Sequence, residues 1–422
     1  MDVAIVVLFI GALIFLGNLF NKIFALTKIP DLLILIVIGI LIGPVLGLVT
    51  PGDFGIVGPL FATVTLAVIL FEGGLHLKIE TIKSAFRGTI ALTLVSFIAT
   101  MLIASGVAYY FHYLDLIPAL MLGAAVGGTS SAVVIPMIEY LHLGKDSHAI
   151  LALESAVTDV LCIVLVLTLI DVYTLHELNI PFVALRLVSS FLIAAILGVI
   201  GGIIWSVLYP MLKTIKSIFF TPAFLFIVYG IVTLLGFSGA IASLAFGITL
   251  GSLDTFRISK ILPDSNIKQV ELTQFEVVFL SQLVQLLKTF FFIFVGLSLI
   301  LNDMAALIIG LEITLVLFVV RILIVHFFIP KSIPVWDASV MSVMIPKGLA
   351  AAVLAAIPLQ MGVTGGLFIE TTTYGIILFS IMICSILVLL LERTPLKKVF
   401  GLFFRKFAQP EETRPPAVPP AG

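Results

Sequence analysis

Charge is what this 422-residue chain most lacks: Asp, Glu, Lys and Arg make up 11% of it, where a soluble protein carries about 25%. Cysteine is nearly absent, and the two present, Cys162 and Cys384, both fall inside apolar runs. That excludes a disulfide scaffold or a clustered thiolate site and leaves core packing as their role. The six histidines form neither an HExxH motif nor a tight cluster, so no metal-catalytic centre is expected. A net charge of −1 offers no footprint for nucleic acid. The first apolar stretch has no basic n-region and runs into Asn21 and Lys22 instead of a small-residue cleavage site, so it reads as a retained helix.

What is present in excess is apolar side chain: 61% of residues are hydrophobic and the mean hydropathy is +1.30. Apolar segments of roughly twenty residues, each able to cross about 30 Å of hydrocarbon as a helix, follow one another from Val3 to Leu391. Runs such as LLILIVIGILIG are continuously apolar, unlike the alternating segments of a membrane barrel. The fold class is therefore all-α and polytopic. Helices are predicted near 3–21, 30–49, 56–76, 85–111, 115–139, 148–172, 181–209, 218–235, 238–252, 269–300, 304–329, 335–359 and 368–391. The count is about thirteen, because Gly236-Phe237-Ser238 alone separates the eighth and ninth spans and the tenth is long enough to contain a break.

Basic residues orient the spans. With the C-terminus cytoplasmic and the N-terminus outside, seventeen of the 22 Lys and Arg fall on the cytoplasmic side, and the proposed outer loops near 50–55, 112–115, 172–179, 301–303 and 361–366 contain none. Residues 1–395 read as the membrane domain. After the last span, Leu396, Val399, Phe400, Phe403, Phe404 and Phe407 alternate with Lys397, Lys398, Arg405 and Lys406, the pattern of an interfacial helix against anionic headgroups. The rest of 396–422 is Pro-rich and expected to be disordered. The longest internal non-spanning stretch is 253–268, so no soluble catalytic or nucleotide-binding domain is expected, and neither enzyme activity nor a cofactor.

A charge inside a span costs about 2.5–3.5 kcal/mol and needs a reason. In ALESAVTDVLCIVLVLTL, Asp159 lies about 16 Å along a helix from His148, near mid-membrane. Ser155 shares its face at i,i+4, while Glu154 and Thr158 form a second pair one residue's rotation away. Asp159 with Ser155 suits a cation or proton site; Glu154 points into the protein and needs a cationic partner. Two are available, Arg321 in LFVVRILIVHF and Lys347 in MIPKGLAAAVLA. The alternative is that both acids merely staple helices through buried polar bonds, an even choice for Glu154.

Two spans carry helix-breaking residues near their middles. Pro346 and Gly348 flank Lys347 in the twelfth, and Gly127-Gly128 precede Thr129, Ser130 and Ser131 in the fifth, with Pro136 in the next turn. Each alone is explained by close packing or a kink. Together, seven spans apart, they place a broken span and its successor in opposite directions in the two halves, the arrangement of an inverted-topology repeat. The thirteenth span has Thr371, Thr372 and Thr373 where the sixth has Asp159. Glu72 reads as a local structural partner, Glu312 as a tertiary partner, and His326 as a hydrogen-bonded structural histidine with pH sensing as the alternative. Gln282, Gln285 and Lys288 recur at i+3 and mark a polar face toward protein or a cavity.

With GGTSSAVVIP, ALESAVTDV, LFVVRILIV and IPKGLAAAVLA in this order, the chain resembles the cation/proton antiporter superfamily, and within it the prokaryotic electroneutral sodium/proton antiporters. The resemblance covers nearly the whole membrane region. It implies Asp159 as the exchanging carboxylate, with Ser155, Glu154 and the Thr129 carbonyl as associated groups and Arg321 paired with Glu154; Glu72, in FEGGL, also matches the family. It further implies a homodimer in the cell membrane and a six-helix core (about 85–172 and 304–391) with crossed, unwound fifth and twelfth helices, the scaffold coming from the remaining helices. The substrates implied are H+ and a monovalent cation, Na+ first and Li+ also, exchanged one for one. The chain departs from the family at Thr158, where asparagine is usual, at Ser130, where an acid is frequent, and at Lys347, more often arginine. K+ exchange on the same fold thus stays open; a cation channel or a non-transporting scaffold ranks lower.

Overall fold

The computed structural model describes residues 31–54, 57–76, 79–175, 180–212, 217–252 and 274–407, with Gly11 and Phe15. The expected first span (apart from those two residues), the stretch 253–268 and the tail beyond 407 lie outside the described residues, as do Lys22, Lys28, Lys78, Lys213, Lys216, Arg257, Lys260 and Lys268 of the orientation argument.

Every described element is helical, as expected where no water can satisfy an open backbone. The helices are α1 (Asp31–Ile40, continued by a π-turn at Leu41–Val45), α2 (Val57–His76), α3 (Ile79–Tyr110), α4 (Leu116–Ala125), α5 (Ser131–Tyr140), α6 (Lys145–Leu175), α7 (Ile180–Leu212) and α8 (Phe220–Leu234). There follow α9 (Gly239–Gly251), α10 (Gln274–Leu297), α11 (Met304–Phe328), α12 (Val335–Met341), α13 (Leu349–Gln360), α14 (Gly366–Arg393) and α15 (Leu396–Phe403). Both expected interruptions are formed: the fifth span is α4 and α5, the twelfth α12 and α13. Counting each broken span once, the described helices make twelve of the thirteen expected spans, with α15 following the last. Six are long and apolar enough to cross a membrane on length and composition alone.

The two halves repeat one order, a long helix, a broken span, a long helix: α3, α4–α5, α6 and then α11, α12–α13, α14. α3 packs on α11, α4 on α6, and α13 on both α6 and α14, so the two triplets interlock as one body. A second set packs beside it, α9 against α2 and α7, and α10 against α1 and α2. Small residues set these distances. A Cβ at Gly39 would run into the Ile293 carbonyl oxygen, and one at Gly296 into that of Ile36, so α1 and α10 meet backbone to backbone. Phe71, Trp205, Tyr209, Phe246 and Leu287 form a separate apolar cluster in this second set.

Two expectations are corrected. Glu312 is exposed on the outer stripe of α11 beside Ile308, Leu315 and Val316 and bonds no described residue, because the tertiary packing buries the opposite face, Ile309, Gly310, Ile313 and Arg321. His326 is not hydrogen-bonded through Nδ1, which is buried without a partner among the described residues. The rings of Phe403, Phe404 and Phe407 stand 4.7, 5.8 and 6.1 Å from it, since the apolar face of α15 and the turn after it fold onto the end of α11.

Candidate functional site

The breaks lie against one another. Ser130 N–H donates to the Pro346 carbonyl at 2.8 Å, joining the unwound segments, and Gly348 is glycine because a Cβ there would overlap the Ser130 side chain. An interrupted helix orphans amides and carbonyls that must find partners in a dry interior. Here Thr129 N–H donates to Thr158 Oγ1 (3.2 Å), Ser155 Oγ donates to the Thr129 carbonyl (2.6 Å), and Lys347 N–H donates to Ser380 Oγ (2.9 Å). The Lys347 ammonium donates to the Gly128 carbonyl at 2.9 Å, just past the C-terminal end of α4, where a cation opposes the negative end of the helix dipole.

Glu154 lies behind this crossing, fully buried, and receives a two-pronged bond from Arg321, Nη1 to Oε1 and Nη2 to Oε2, the latter at 2.7 Å. Of the two available cations, Arg321 is thus the one that pairs with Glu154. Its other donors reach Ser96 Oγ (2.9 Å) and the Met341 carbonyl at the end of α12 (3.2 Å). The guanidinium therefore ties α3, α6, α11 and α12 together. Removing either member of such a pair strands a buried charge at about 3–5 kcal/mol.

Asp159 occupies a different environment. It is partly exposed and lines a cavity of about 600 Å³, the setting in which a polar site meets an apolar wall. One wall is the crossing and its neighbours: Gly128 to Ala132, Asp159 and Cys162, and Gly348 to Ala351. The opposite wall is Leu66, Ile69, Leu70, Glu72 and Gly73 of α2, Leu244 of α9, and Val284 and Lys288 of α10. His148 and Ala149, at the start of α6, mark the end nearest that helix's N-terminus. The ammonium of Lys347 is the opposite charge that acts on Asp159. Of the sequence candidates, Asp159, Thr129, Ser130 and Glu72 line the cavity. Ser155, Thr158 and Glu154 are fully buried behind it, where Ser155 and Thr158 anchor the unwound turn.

Several contributors had no sequence signal pointing to them. Asp337 of α12 accepts from Gly144 N–H (2.9 Å) and Ser147 Oγ (2.6 Å), acting as an anionic cap for α6 from another segment. Ser380 and Ser96 looked like ordinary small residues of apolar helices. The i+3 row in the tenth span had marked Lys288, but not the wall it would occupy. Among the described residues, no group of His, Cys, Asp and Glu is arranged to hold a metal ion.

Comparison with known proteins agrees with this geometry. The family described as "Sodium/hydrogen exchanger, transmembrane" matches residues 6–393. The K(+)/H(+) antiporter NhaP2 of Shewanella sp. (strain ANA-3) is 28% identical over 54% of this chain and 40% of its own length. The Na(+)/H(+) antiporter 1 of Methanocaldococcus jannaschii is 27% identical over 44% of each chain. The matched stretch is thus less than half of these relatives. Among solved structures, the sodium proton antiporter MjNhaP1 from M. jannaschii at pH 8 superposes with a TM-score of 0.71 and 21% identity, covering 91% of this chain and 100% of that one, which establishes the polytopic fold with its two unwound helices. Matched over nearly its whole membrane region, the chain belongs to the sodium/hydrogen exchanger family.

Proposed function

We propose that this chain exchanges a monovalent cation for H+ across the cell membrane by alternating access at Asp159. The observation that carries the reading is the position of that carboxylate: about halfway along α6, partly exposed to a cavity, and next to an unwound crossing where the Thr129 carbonyl keeps a second lone pair beside its one hydrogen bond. Thr129, Ser130 and Glu72 stand around the same cavity. Ser155 and Glu154 support the Thr129 turn and the Arg321 pair.

One carboxylate serves a proton and a cation in turn. Competition for it couples the two fluxes, and the absence of a second acid beside it in sequence favours one-for-one, electroneutral exchange. The cavity lies between the interlocked triplets, residues about 85–172 and 304–391, and the α1–α2–α9–α10 set, so the triplets act as a core that slides against a scaffold. Its His148 end puts the cavity on the cytoplasmic side when the N-terminus is outside. We assign a homodimer, with the dimer contact on the scaffold helices and residues after 395 at the cytoplasmic surface. Na+, with Li+, is the cation of first choice; K+ is the second reading, favoured by the Shewanella relatives' names and by neutral Ser130 and Thr158 beside Asp159.

The deciding experiment is the purified chain in proteoliposomes with a trapped pH dye, challenged with Na+, Li+ and K+ gradients. Cation-dependent proton movement that Asp159→Asn abolishes supports the reading. Exchange at the normal rate in that variant overturns it, and dependence on voltage under balanced gradients overturns electroneutrality. Flux too fast for a conformational cycle would show a channel, and no ion-dependent proton movement at all a scaffold.

A further inference from the structure

Lys288 is a costly residue that the exchange site does not use. It lies on α10, in the wall of the cavity that Asp159 also lines. Lys288 is only partly buried, and no hydrogen bond or ion pair engages it among the described residues. Glu72, on the same wall, has interactions of its own. An ammonium held in a membrane span without a partner is expected to have a functional one.

The other lysine of the site differs in a decisive way. Lys347 is bonded to Gly128, belongs to the same body as Asp159, and keeps its distance whatever that body does. Lys288 belongs to α10, packed on α1 and α2, so its distance to Asp159 changes when one body moves against the other. Any attraction it exerts on Asp159 as the two bodies approach depends on occupancy. An empty carboxylate is anionic and held; one neutralised by a proton or a cation is not.

We propose that Lys288 is a positioning residue that keeps the empty, anionic Asp159 on its own side of the barrier, so that only a loaded site crosses. The inference rests on the reading of Asp159 as the carrier carboxylate. Without such a restraint the empty site returns unloaded, cation leaves without a proton entering, and exchange becomes leak.

The test records release of radiolabelled Na+, or of Rb+ should the cation panel select K+, together with internal pH in the same proteoliposomes. Wild type releases cation and takes up protons in a fixed ratio. Lys288→Gln and Lys288→Met, each checked for monodispersity in detergent, are expected to raise uncoupled release about tenfold, the change that a modest lowering of one barrier produces. Lys288→Arg is expected to restore the ratio, and Asp159→Asn added to Lys288→Gln to abolish the leak. An unchanged ratio in both neutral variants, or complete loss of exchange in both while folded, overturns the assignment and leaves Asp159 as carrier. Retained exchange in Asp159→Asn alone overturns the underlying reading instead.

Discussion

The Lys347 ammonium and the Gly128 carbonyl meet at 2.9 Å across the point where two interrupted helices cross. The companion contact, Arg321 to the Met341 carbonyl, does the same for the other broken span. Each cation thus sits near the C-terminal end of a half-helix, α4 or α12, where unpaired carbonyls and the dipole concentrate negative charge. The crossing is held by side chains from α6, α11 and α14 and by Lys347 of the unwound segment itself, which explains how a segment without regular backbone bonding survives in an apolar interior.

Arg321→Met should be severely destabilising, by about 3–5 kcal/mol, because it strands the buried Glu154 carboxylate. Adding Glu154→Met should recover most of that loss but not all, since Ser96 and the Met341 carbonyl still lack their donor. Thermal unfolding of the single and double variants in detergent measures the coupling.

Gly348→Ala should reduce exchange about a hundredfold, because its Cβ overlaps Ser130 and shifts the crossing by a fraction of an ångström or more. Ser130→Gly, mild at a helix start, should restore activity to the double variant. Transport rates at matched protein density decide this.

Competition at Asp159 predicts a specific pH dependence. On the acid side the apparent KM for the cation should rise about tenfold for each unit fall in pH while the maximal rate holds steady. A falling maximal rate at constant KM would mean that proton and cation occupy separate sites.

Asp337→Asn should destabilise the core by about 1–2 kcal/mol through loss of the charged cap on α6. Hydrogen exchange at the Gly144 amide should rise before α6 loosens.

Much of the architecture could be read from local chemistry. Uninterrupted apolar runs dictate helices in hydrocarbon, and Gly127-Gly128 and Pro346-Lys347-Gly348 announce breaks because those residues disfavour regular helix wherever they stand. Asp159 drew attention for the same reason, a carboxylate in an apolar run. The partner choice of Glu154 was not local. Arg321 and Lys347 are both buried cations on neighbouring spans, and only the packing of α11 against α3, from which Arg321 reaches across to α6, assigns Arg321 to the acid and Lys347 to a backbone carbonyl.

The amino-acid order by itself determined an all-helical membrane protein, with its succession of apolar spans, its two interruptions and its expensive residues. Those follow from the solvent and from each residue's own backbone preference. Tertiary structure alone decided which face of each helix met which neighbour. It turned Glu312 outward, enclosed His326 in phenylalanine, set Asp337 over α6 and placed Lys288 across the cavity from Asp159. Contacts between residues a hundred or more positions apart depend on how helices rotate and cross, and periodicity within one helix does not encode that.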